Sequence, residues 1–145
     1  MPSKLYGQFI QAAFNKEIDF DTDTIKVALL TNAYTPDQDA HNYFDDVVAH
    51  EVSGATGYTA GGATLANKSV TYTGATNTLV LDADDVTWAA STITARYAVV
   101  YDASPATNAT RPLIGYVDFG SDQSSSNGNF TITWDSTGIV RVTVA

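Results

Sequence analysis

The chain of 145 residues has no cysteine, only two histidines and two glutamates, and only seven Lys and Arg. Without cysteine there are no disulfides, thiolate zinc sites or cysteine nucleophiles, and the redox compartment leaves no trace in the sequence. Sixteen acids outweigh the cations, for a net charge of −9. That balance opposes a phosphate backbone and an anionic membrane surface, so neither nucleic acid nor membrane is expected as a partner. No apolar run approaches the length of a bilayer span, and the N-terminus shows no signal-peptide apolar segment.

What is present points to strands. Thr and Ala each occur twenty times, and the surplus of Thr, Val, Ile and Tyr over Glu and Lys favours extended structure. Fourteen of the sixteen acids are Asp, a residue of turns and caps. An apolar fraction of 44% is too high for disorder. The length fits one domain, 1–145, and at this size folding buries roughly 68% of the unfolded chain's surface.

Leu5, Tyr6, Phe9, Ile10, Ala13 and Phe14 recur at helical spacing, so a helix is expected over 1–15 with Ser3 as its cap. Residues 24–144 are expected to form a β domain. Thr24–Thr31 reads as a strand with apolar residues at both parities, which requires cover on both faces. Thr35-Pro36 opens a second, short helical candidate running toward Asp45-Asp46. Residues 47–52 are ambiguous, and 53–63, with four glycines, is a loop. Further strands are expected at 69–73, 78–82, 86–88, 93–101, 113–119, 129–134 and 139–144. The last two, joined through Asp135-Ser-Thr-Gly138, read as a hairpin. The expected fold is therefore mainly β, an antiparallel β-sandwich or compact barrel, jelly-roll arrangements included, with an N-terminal helix.

No catalytic constellation emerges. Asp19, Asp21 and Asp23 open like an EF-hand loop, but Thr24 and Leu30 stand where Gly and Glu are required. Asp82, Asp84 and Asp85 could offer oxygen ligands to Ca²⁺, although Asp side chains at a turn more often bond nearby backbone. His41 and His50 have neither a serine elbow nor H-E-x-x-H spacing. The glycines of 53–63 are not followed by the Gly-Lys-Ser/Thr of a phosphate loop. No catalytic residue, metal or cofactor is expected. Trp88, Trp134 and most tyrosines alternate within strands and read as core, whereas Tyr34, Tyr43, Phe44 and Tyr58 lie in irregular segments where aromatics anchor interfaces. Leu5 and Phe9 would dock from the N-terminal helix, and Arg111, before Pro112, is placed for an intersubunit salt bridge. Arg96 is expected to pair with an Asp of its own chain.

Five segments carry a resemblance: Lys26-Val-Ala-Leu-Leu-Thr-Asn-Ala-Tyr-Thr-Pro-Asp-Gln-Asp39, Gly57-Tyr-Thr-Ala-Gly-Gly-Ala-Thr-Leu-Ala-Asn67, Leu81-Asp-Ala-Asp-Asp-Val-Thr-Trp88, Ala95-Arg-Tyr-Ala-Val-Val-Tyr-Asp102 and Leu113-Ile-Gly-Tyr-Val-Asp-Phe-Gly120. They are similar to segments of small structural proteins of tailed bacteriophages. The resemblance implies a non-enzymatic virion component, first a capsid decoration (cement) protein that binds capsomers. The alternatives are a tail, baseplate or head-fibre module and a carbohydrate-binding module. Partners would be the major capsid protein or other virion proteins, with a homo-oligomer, for instance a trimer, and a place in the virion. An acidic chain suits the outside of a DNA-filled shell.

Overall fold

The computed structural model describes residues 3–145. Strand β1 (Ser3–Leu5) leads into the short helix α1 (Phe9–Phe14), and β2 (Ile25–Leu30) follows. After two single-turn 3-10 helices (Phe44–Asp46 and Val48–His50) come β3 (Ala63–Thr64), β4 (Ser69–Thr73), β5 (Thr78–Asp82), β6 (Val86–Ser91) and β7 (Thr94–Asp102). A third 3-10 turn (Asn108–Thr110) precedes β8 (Leu113–Ser124), β9 (Gly128–Ile132) and β10 (Val140–Thr143). These strands make a large sheet in the order β1-β8-β7-β2-β3, a three-stranded sheet β10-β5-β4 and a pair β6-β9. Every pairing is antiparallel.

The centre of the large sheet is buried on both faces, which is why β2 and β7 read as nearly continuous apolar runs. Ile25, Val27 and Leu29 of β2 point into a first core, together with Ala98 and Val100 of β7 and Ile114 of β8. That core is closed from the other side by Leu81 and Val140 of the three-stranded sheet and by Val86, Trp88, Phe130 and Ile132 of the β6-β9 pair. The intervening residues Ala28, Leu30, Tyr97, Val99 and Tyr101 point the opposite way, into a second core with Tyr6, Tyr34, Phe44 and Val47. Pairing of β7 with β8 slips between Ala95↔Gln123 and Tyr97↔Asp118. A one-residue change of phase flips side chains to the other face. Ala95 therefore joins Ala98 and Val100 in the first core while Tyr97 faces the second.

Several expectations change. No sheet among the described residues closes into a barrel: the large sheet keeps β1 and β3 as edges. The helix expected over 1–15 is largely replaced. Met1 and Pro2 lie outside the described residues, Ser3–Leu5 is a strand against β8, and only Phe9–Phe14 is helical. Helical spacing misled because Leu5 and Tyr6 serve different cores. As strand neighbours they point apart, Leu5 against the first core and Tyr6 into the second. Gly115 permits this pairing, since a Cβ there would lie 2.9 Å from the Lys4 carbonyl oxygen.

The helix expected after Thr35-Pro36 is absent. Asp37 instead folds the chain into a turn, its Oδ1 accepting the N–H groups of Asp39 (3.1 Å) and Ala40 (2.9 Å), the local competition with helix that Asp favours. The hairpin expected from 129–134 and 139–144 does not form either. β9 pairs with β6, and β10 pairs with β5. The connecting segment is held by Asp85, whose Oδ1 accepts the Trp134 N–H at 2.9 Å, and by the Asp84 carbonyl, which accepts the indole N–H at 2.9 Å.

Candidate functional site

The crossing segment between β9 and β10 leaves a cleft of ≈420 Å³ against the free end of β1 and β8. Leu5, Ile114 and Ile139 give it an apolar floor, and Trp134 stands half-buried at its side. Lys4 and Arg141, two exposed cations of an acidic chain, share its rim with Asp135. Asp135 Oδ1 already accepts both the N–H (2.8 Å) and the hydroxyl (2.7 Å) of Thr137, bonds that hold its carboxyl below the usual range. No histidine lines this cleft, so it lacks the base of a serine-type constellation. Its size and mixed lining suit the binding of a small ligand or an extended segment.

The histidines lie on the opposite side of the large sheet. Tyr34 stacks obliquely between them, with ring centroids 5.5 Å from His41 and 5.9 Å from His50. Its hydroxyl is 2.8 Å from that of Tyr6 and 3.0 Å from His41 Nδ1. Burial pushes the Tyr34 hydroxyl up to about 12 and the Tyr6 hydroxyl higher still. Both remain neutral hydrogen-bonding groups, so this chain of polar atoms tethers the 31–50 segment to Tyr6, just past β1.

The Gly-rich loop 53–63 is likewise tied down. Tyr58 donates its hydroxyl to Glu51 Oε1 at 2.7 Å while accepting the Leu29 N–H at 3.0 Å. Glu51 Oε1 also accepts the Gly61 N–H, and the Tyr101 hydroxyl donates to the Gly61 carbonyl at 2.8 Å. Burial, aided by the Glu51 carboxylate, raises the Tyr58 hydroxyl far above its ordinary value. Gly62 sits at φ +75°, and a Cβ there would collide with the Val27 carbonyl. The loop thus lies against β2 because glycine alone lets the backbones approach.

The structure sorts the anticipated interface residues sharply. Phe9, Tyr34 and Phe44 are buried within the chain and offer no face to a partner. Phe44 stacks on Tyr101 with ring centroids 3.9 Å apart. Tyr58 is occupied by the loop, and Tyr43 is half-buried with its hydroxyl donating to Glu17 Oε2 at 3.0 Å. Leu5 is half-buried at the cleft. Arg111 binds its own loop, with Nε on the Pro105 carbonyl (2.8 Å) and Nη1 on Asn108 Oδ1 (3.0 Å). Arg96 does pair within the chain, Nε to Asp118 Oδ1 at 2.8 Å.

The acidic turns are internally occupied. Asp23 Oδ2 accepts the Asp19 N–H at 2.7 Å, and Asp84 Oδ2 accepts from Asn67 Nδ2 at 2.6 Å. Among the described residues no three His, Asp or Glu side chains gather as metal ligands. Two surfaces escaped sequence reasoning: the cleft rim at Lys4, Trp134 and Arg141, and the exposed apolar residues Val70, Tyr72, Val144, Ile10 and Phe14. Alternation at Val70 and Tyr72 was visible, but nothing in the sequence tells that no layer covers them. Compared with known proteins, the chain matches no family model, no curated protein and no solved structure.

Proposed function

We propose that this protein is a non-enzymatic structural component of a tailed-bacteriophage virion, acting as a capsid decoration protein on the outside of the head. The observation that carries the reading is the resemblance of five segments, 26–39, 57–67, 81–88, 95–102 and 113–120. Three of them supply β2, β7 and the first part of β8, the centre of the large sheet, and the others supply the Gly-rich loop with β3 and the β5–β6 turn. The finer fold reading belongs to the same proposal: the large sheet and the two smaller sheets around the first core are the two layers of an antiparallel sandwich.

Surface chemistry supports the same reading. The net charge of −9 suits a shell exterior, where packaged DNA is not the neighbour. Many weakly bound copies on a regular lattice gain effective affinity by avidity. The test is the copy number in purified particles, by quantitative mass spectrometry. A number comparable with that of the major capsid protein is expected; a handful per particle would reject decoration and leave a tail, baseplate or head-fibre module.

One observation favours a second reading, a carbohydrate-binding module. Trp134 beside the cleft offers a ring on which a sugar could stack. A glycan array with the purified protein decides it, and failure of every glycan to bind rejects it.

A further inference from the structure

Cross-strand neighbours in an antiparallel sheet share a face. In the three-stranded sheet Val70, Leu81 and Val140 form one such row, and Tyr72, Leu79 and Val142 the next. Leu81 and Val140 are sealed by the first core, but Val70 is 44% exposed, Tyr72 54% and Val144 53%. The sheet therefore overhangs its core, and its apolar face runs out into solvent at β4.

β4 is also one of this sheet's two edges, β10 being the other. Among the described residues β4 pairs only with β5, and all five of its residues are exposed. Folded chains blunt such edges with lysine, proline, bulges or inward charges. Here Ser69–Thr73 has none of these. Its five pairs with β5 run unbroken from Ser69↔Asp82 to Thr73↔Thr78, and no charged residue occurs from Ser69 to Leu81. In a chain of net charge −9, this neutral stretch is a surface on which two copies meet without opposing like charges.

We propose that a second copy of this chain completes the sheet, with β4 pairing antiparallel to β4 about a two-fold axis at Thr71. The strand is self-complementary in that register. Val70 stands opposite Tyr72 of the second copy, twice, on the apolar face, an aromatic to β-branched pair of the favourable kind. Ser69 stands opposite Thr73, and Thr71 opposite Thr71, on the hydroxyl face. The contact spans five residues, so it covers less than the roughly 1,200 Å² of a standard stable interface. The dimer is accordingly weak and concentration-dependent in solution. This inference stands apart from the virion reading and survives its failure.

The test is sedimentation velocity over a wide concentration range, with the full chain. Reversible monomer–dimer behaviour is expected, and Thr71→Lys, which sets two ammonium groups opposite each other on an exposed position, weakens it by about two- to fivefold. The absence of cysteine allows a second measurement independent of affinity. Thr71→Cys crosslinks to a covalent dimer on mild oxidation much faster than Ser136→Cys, a control on an exposed turn. A chain that stays monomeric at every concentration, with Thr71→Cys crosslinking no faster than Ser136→Cys, overturns the proposal. So does a trimer, or a dimer indifferent to Thr71→Lys. Loss of particle binding by Thr71→Lys in a chain that never self-associates assigns the edge to another protein, and equally overturns it.

Discussion

The second core and the three-stranded sheet use the same residue types to opposite ends. In the second core Tyr6, Tyr34, Phe44 and Tyr101 are each at most 2% exposed, roofed by the irregular 31–50 segment that folds back over the large sheet. At the other side Tyr72 and Val70 stand on a regular strand, 54% and 44% exposed. Tyr34 and Phe44, in an irregular segment, are core residues here, whereas Tyr72, in a regular strand, is a surface one. Cover, rather than local conformation, decides the role of each ring.

The largest effect that sharpens this contrast is expected at Phe44. Truncation to Ala removes a buried ring stacked on Tyr101 and leaves a cavity under the 31–50 segment. Phe44→Ala is expected to cost about 3–5 kcal/mol of stability by denaturant unfolding. A cost below about 1 kcal/mol would mean that the segment is not a true roof and that the two regions do not differ as described.

An intermediate effect is expected where β7 ends. Asp102 is fully buried and its Oδ1 accepts the Ser104 N–H at 2.8 Å, but Oδ2 has no partner among the described residues. Burial foremost, with the neighbouring Asp23 carboxylate adding to it against the opposing Ser104 N–H, pushes this carboxyl up to about 6. A carboxyl raised on folding binds its proton more tightly in the folded state. Its contribution is thus fully present below the ordinary value of 3.8 and is lost as pH rises through about 6. Asp102→Asn is expected to raise stability at pH 7.5 by about 2 kcal/mol, with the gain shrinking steadily toward pH 4. A pH-independent gain, read from unfolding curves across that range, would show that the ionised form costs nothing here.

Most strand positions were legible in the sequence, β1 and β3 excepted, and strand partners were not. β4 and β5 coincide with the segments marked by alternation and turn residues, and β2 lies within the expected 24–31. Pairing depends on contacts far apart in the chain. Thus β9 and β10, adjacent in sequence and apparently closed by Gly138, part company to join β6 and β5. The candidate site was less legible for the same reason. Trp134 and Arg141 come together with Lys4 only because β1 pairs with β8 and the crossing segment passes over that end of the sheet. Tyr34 and Phe44 looked like interface residues because their segment is irregular; its burial comes from the aromatic face of β7 beneath, which local pattern does not announce.

The smallest effect on stability is expected at Tyr72, where the contrast is most exposed to refutation. More than half of its surface is open, and its hydroxyl reaches only Asn77 Oδ1 at 3.2 Å across its own turn. An exposed position on an edge strand with one weak bond costs little when changed, so Tyr72→Thr, which keeps β propensity, is expected to shift stability by less than about 0.5 kcal/mol. Phe44→Ala and Tyr72→Thr would then differ severalfold, although both delete one aromatic ring. The ordering reverses for association: Tyr72→Thr removes the ring facing Val70 of the second copy and weakens dimerisation in sedimentation, whereas Phe44 has no surface through which to act. If Tyr72→Thr destabilised the monomer as severely as Phe44→Ala, the overhang would have to be packed against something within the chain, and the distinction between a roofed core and an open wing would collapse.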